Sequence, residues 1–161
     1  MVERQGLEQR TKIIAGDRRL TIYLMGLWQG LRLDTGACAP AKEFFTTLPE
    51  NLWTDCCVVE MAADGGWQIC RVGEAMARRS GVRAASVPVA DLPPQSLLAA
   101  SIRGLKDAHR TGVPILNEGE ARDEKGRRTL FRSILLPLGD EQGRVVQYLA
   151  GARCRVVQED A

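Results

Sequence analysis

At 161 residues, with 22 Lys+Arg against 20 Asp+Glu and a formal net charge of +2, the chain is long enough for one domain plus an extension. It has no charge excess that would draw it to nucleic acid. Five cysteines without a CxxC pair and a single histidine exclude a zinc-site spacing and a disulfide framework, so reduced thiols and a cytoplasmic location are expected.

Residues 1–18 are polar and charged (Glu3, Arg4, Glu8, Arg10, Lys12), unlike a secretory signal, and read as a flexible leader. From Arg18 to Arg32, Leu20, Leu24, Leu27 and Leu31 follow helical spacing, and Tyr23, Met25 and Trp28 widen the stripe. This apolar helix is too short to span a membrane, so no membrane insertion is expected. It needs a berth, either on a sheet of its own chain or against the same helix of a second copy. Leu33 to Ala41, with Gly36 and Pro40, reads as a loop, and the stretch up to Trp53 as a short helix or turn.

Asp55–Met61 and Trp67–Val72 flank the turn Ala63–Gly66 and predict a β-hairpin. Glu74–Arg79 makes a short helix stopped by Gly81. Val87–Leu92 reads as a single turn. Pro93–Pro94 then opens a helix that carries Leu98, Ile102 and Leu105 on one face and runs to Gly112. Val113–Glu120 is a candidate edge strand, because Pro114 fits only an edge.

Arg127–Val156 is the strongest signal: two strand patterns joined by Gly139-Asp140-Glu141-Gln142-Gly143. Pairing Leu138 with Val145 puts Phe131, Ser133 and Leu135 on one face with Tyr148, Ala150, Ala152 and Cys154. The opposite face carries Leu130, Arg132, Ile134, Leu136, Gln147, Leu149, Gly151 and Arg153. Both faces are apolar enough to need a cover.

Two strands, short helices, a longer helix and three further strands form the element order of the PAS fold. Gly26-Leu27-Trp28-Gln29-Gly30-Leu31, Ile69-Cys70-Arg71-Val72-Gly73-Glu74-Ala75 and Leu135-Leu136-Pro137-Leu138-Gly139, in that order, resemble the single-domain PAS family of alphaproteobacteria over roughly residues 20–155. Cys70 stands where that family's strand more often has an aromatic or basic residue. The resemblance implies an α+β architecture: a five-stranded antiparallel sheet, helices on its concave face and the N-terminal helix packed outside. It divides the chain into the leader 1–18, a helix and connecting segment 19–53, and a PAS core 54–157.

The resemblance also implies a non-catalytic sensory or protein-interaction domain, homodimeric and partnered by an unidentified signalling protein. Leu20, Leu24, Leu27, Trp28, Leu31, Ile134, Leu136 and Leu149 are the dimer-interface candidates. A ligand pocket would be built from Cys57, Ile102, Leu105, His109, Phe131, Ser133, Tyr148, Ala150 and Ala152; the small residues opposite Phe131 either leave room for it or let the long helix approach closely.

No resident cofactor or metal is expected. Haem is the alternative, with His109 as axial ligand, against His109 as a residue at a helix C-terminus. Ile69-Cys70-Arg71 lacks the asparagine of the flavin-attaching motif of light-sensing PAS domains. Cys56 and Cys57, adjacent on a strand, read as core thiols, and Arg71, Arg132 and Arg153 as a solvated sheet face unless they meet an anion. The sequence has no Gly-rich phosphate loop, GxSxG or HExxH, which argues against catalysis.

Overall fold

The computed structural model describes residues 19–34, 36–83 and 86–158; the leader predicted for 1–18 lies outside them. The first helix (α1, residues 19–34) is followed by β1 (Ala39–Pro40), α2 (Ala41–Thr47), α3 (Glu50–Trp53) and the hairpin β2 (Cys56–Met61) and β3 (Trp67–Val72). Then come α4 (Glu74–Ser80), β4 (Val87–Pro88), a 3-10 turn (Val89–Asp91), α5 (Leu97–Ser101) and α6 (Leu105–Thr111). The chain closes with β5 (Ile115–Arg122), β6 (Arg128–Gly139) and β7 (Val145–Val156).

The β6–β7 hairpin forms as its alternation predicts. Asp140 fixes the turn by accepting backbone N–H bonds from Gln142 and Arg144, each 2.9 Å. The register differs from expectation. A bulge at Leu138/Gly139 pairs Leu138 with Gln147 and Gly139 with Val145, so Ser133 lies opposite Ala152. The slip is two residues, an even number, so every side chain keeps its predicted face.

The long strands run in the order β3-β2-β7-β6-β5, all antiparallel. Two two-residue strands enlarge the expected five to seven. β1 runs parallel to β6 beyond the end of β5, and β4 pairs with β3, where a loop and a turn were predicted. Segments this short carry no periodicity to read.

The single long helix expected after Pro94 is two helices. Gly104 adopts φ 89° between α5 and α6, a conformation closed to an ordinary helix interior, and the first helix starts at Ser96, whose hydroxyl caps the Ala99 N–H. Pro93 and Pro94 stay outside it.

The side chains divide into two apolar layers, one on each face of the sheet. On the concave face, α4, α5 and α6 cover the inward residues of β2, β3, β6 and β7. On the convex face α1 lies on its own chain: Leu20, Leu24 and Trp28 are buried with Ile134, Leu136, Leu138 and Leu149. Burial of each leucine contributes about 2 kcal/mol.

Gly151 makes the close approach possible. A Cβ there would collide with Leu24 Cδ1 and lie 3.3 Å from Cys56 Sγ. Further along, Trp28 Nε1 donates to the Pro137 carbonyl at 2.6 Å. This is the stretch of β6 where β5 has ended at Leu135 and β1 has yet to begin at Leu138. Proline has no N–H to leave unpaired there, and the indole covers its carbonyl.

Trp28→Phe keeps most of the ring but removes this donor. The folded chain should lose about 1–3 kcal/mol, read as a lower urea midpoint at unchanged slope; an unchanged midpoint would show that the bond does not hold α1.

Candidate functional site: the concave face

Alternation along β6 and β7 places Phe131, Ser133, Leu135, Tyr148, Ala150 and Ala152 under the helices. β2 adds Cys57 and Val59, and α5 to α6 supply Leu98, Ile102, Leu105 and Ala108. The structure therefore brings the predicted pocket residues together. Eight of them are buried, from 0 to 6% exposed, and His109 alone is exposed at the rim.

Among the described residues, Ser133 differs from the other buried serines of this layer, Ser80 and Ser101, which are hydrogen-bonded. Its hydroxyl is fully buried and has no hydrogen-bond partner. The reason lies in its neighbours: Ala152 opposite on β7 offers only a methyl group, and Asn117 opposite on β5 turns its amide away, donating to the Arg103 carbonyl at 2.7 Å. Buried polar groups are nearly always paired, so this oxygen marks a point where a second hydrogen-bonding atom could be received.

At the rim, His109 Nδ1 and the Tyr148 hydroxyl are 2.7 Å apart. Trp67 meets both rings edge-on, with centroids 5.1 Å and 5.5 Å away. Sequence reasoning missed Trp67, although its parity with Ile69 on β3 was a usable signal. Burial pushes the Tyr148 phenol up to about 12, with nearby Cys38 adding to the shift. His109 is thus held at the edge of the layer, its ring fixed by Tyr148 and Trp67.

Desolvation pushes the Cys57 thiol up to about 12 and Cys70 up to about 11, and it also raises Cys56, so burial holds these three thiols in the protonated form.

The arginines left open by the sequence are engaged. Arg71 lies over Trp53 and Phe45, at 4.5 Å and 5.3 Å from the ring centroids. Arg132 pairs with Glu118 at 3.2 Å. Arg153 shares the buried Asp55 carboxylate with Arg79. Asp55 was read only as the start of a strand.

The dimer-interface candidates need a correction of place. Leu20, Leu24, Trp28, Ile134, Leu136 and Leu149 are at most 4% exposed, and Leu27 and Leu31 pack partly buried beside them, all within one chain. The chain's own helix takes the berth those residues offered.

No family model and no curated protein matches the chain. Solved structures do share its architecture. VqmA bound to DPO superposes with a TM-score of 0.51 at 14% identity, over 73% of this chain and 57% of that one. The PAS domain of Bordetella pertussis BvgS gives 0.45 at 15% identity over 73% and 86%. The light-state LOV domain of the blue-light photoreceptor Aureochrome1 gives 0.46 at 12% over 69% and 87%. The element order and antiparallel sheet match the α+β architecture expected of a PAS-like fold, and VqmA shares that fold. No helix among the described residues is long and apolar enough to cross a membrane.

Two outcomes are expected. Ser133→Ala discards an unpaired buried oxygen, so unfolding free energy should stay level or rise by up to about 1 kcal/mol in urea denaturation; a clear loss would mean the hydroxyl has a partner. Tyr148, Cys57 and Cys70 hold their protons more tightly folded than unfolded. Their contribution is complete below the ordinary thiol range and is lost as pH rises towards about 12. Urea midpoints should therefore fall from about pH 8 to about pH 10.5, and a flat profile would contradict the burial of these groups.

Proposed function

We propose that the chain is a non-catalytic sensory and protein-interaction module of bacterial cytoplasmic signalling, akin to the single-domain PAS proteins of alphaproteobacteria, and that it works as a homodimer. The observation that carries this reading is a short path through one sheet. Trp28 of α1 holds the carbonyl of Pro137, Pro137 is paired in register with Tyr148, and Tyr148 reaches through the concave layer to His109. A change in packing beneath the sheet therefore alters the strand pair on which α1 rests. A ligand or partner that prefers one arrangement shifts the population of α1 positions.

The second copy meets the outward face of α1 rather than its buried stripe. Ile22 is 67% exposed, Tyr23 45% and Leu33 83%. Between them Gly26 and Gly30 have no atom within 4 Å of an added Cβ, leaving a shallow channel along the helix. Two such faces are self-complementary about a two-fold axis.

Sedimentation of the full chain should show a dimer that Ile22→Asp/Tyr23→Asp converts to a monomer with unchanged far-UV circular dichroism. A monomeric parent, or a variant that still dimerises, rejects the interface.

Ser133 favours a second reading, in which the concave layer opens for a small molecule that satisfies the lone hydroxyl. An absorption band or a non-covalent mass adduct in freshly purified protein supports that reading over pure protein interaction.

A further inference from the structure

α1 covers only part of the convex face. Its first described turn reaches Gly151, where Leu20 Cδ2 would lie 3.8 Å from an added Cβ, and Gly151 pairs with Ile134. The ranks beyond that point, Arg132 opposite Arg153 and Leu130 opposite Arg155, lie past this turn. Leu130 there is 40% exposed, and Leu116, opposite Ile134 on the neighbouring β5, is 63% exposed, with the Glu118–Arg132 rank between them. The two leucines therefore flank the Glu118–Arg132 rank as separate apolar footholds on an otherwise polar sheet face.

The charges around these leucines are unbalanced. On the same face β5, β6 and β7 present Arg122, Arg128, Arg132, Arg153 and Arg155 against Glu118 and Glu120. Glu118 pairs with Arg132, Glu120 with Arg128, and the buried Asp55 with Arg153. Positive charge still exceeds negative by two, in a molecule whose entire net charge is +2. Arg132 and Arg153 also stand directly opposite each other across the ladder.

We propose that this open end of the convex face docks an acidic, amphipathic segment of a partner protein. Its apolar side chains would rest on Leu116 and Leu130, and its carboxylates would face the arginines. The interspersed glutamates oppose a phosphate backbone, which makes an acidic peptide the better match than a nucleic acid. The chain's own residues 1–18 carry nearly equal numbers of acidic and basic groups, so charge does not select them as the occupant. The surface is separate from the outward face of α1, and the proposal does not depend on dimerisation.

The probe is a synthetic helical peptide with leucine on one face and glutamate on the other, titrated into the isotopically labelled full chain. Amide shifts should concentrate in residues 116–122, 128–132 and 153–155. Arg155→Glu combined with Leu130→Gln should weaken binding at least about tenfold, and added salt should weaken binding to the parent. Leu116→Gln gives the same reading if the double variant does not fold. The proposal is overturned if the peptide fails to bind, if its shifts fall elsewhere, or if the variants bind it as the parent does. It is equally overturned if a lysine-for-glutamate peptide or a DNA duplex binds as tightly as the acidic peptide.

Discussion

A sheet that is apolar on both faces cannot be left open to water on either, and that constraint organises this molecule. In β6 every residue from Ser133 to Gly139 is buried, inward and outward alike, which is unusual for antiparallel strands that need only one covered side. Short helices α4 to α6 close one face, and α1 must close the other. The small side chains follow from the same demand: Ala150 and Ala152 let the helices approach within, and Gly151 between them lets α1 approach without.

This much was legible before any coordinates, because strand alternation and helix spacing report which residues seek cover. The hairpin faces, the three other long strands and the gathering of the pocket residues all follow from those two periods. The partner of each buried face was less legible. The α1 stripe could have met a second copy, and only the depth of the groove over Gly151, together with Trp28 reaching Pro137, settles that it meets its own sheet. Features set by one residue's conformation or by a long-range contact were out of reach. Gly104 divides a helix that the leucine pattern alone would continue, and Asp55 finds its two arginines from α4 and β7, far apart in the chain.

The candidate site shows how packing limits chemistry. Burial holds the Cys57 thiol and the Tyr148 phenol of the concave region protonated, and His109 is clamped at the rim by a tyrosine and a tryptophan. Ser133 stands apart as a buried hydroxyl without a hydrogen-bond partner. The convex face is likewise divided, sealed by α1 over one half and left charged and partly apolar over the other.

The short interval of β6 between the end of β5 and the start of β1 has a bearing on how the molecule survives at high concentration. Bare strand backbone is an invitation to another chain, and unprotected borders of this kind are where sheets fuse into aggregates. Here the polypeptide has placed the one amino acid that cannot donate and roofed its remaining acceptor with an indole. The helix proposed to carry the signal thus also acts as a guard: were it to lift away, that border would be uncovered, which sets a limit on how far it can travel from the sheet.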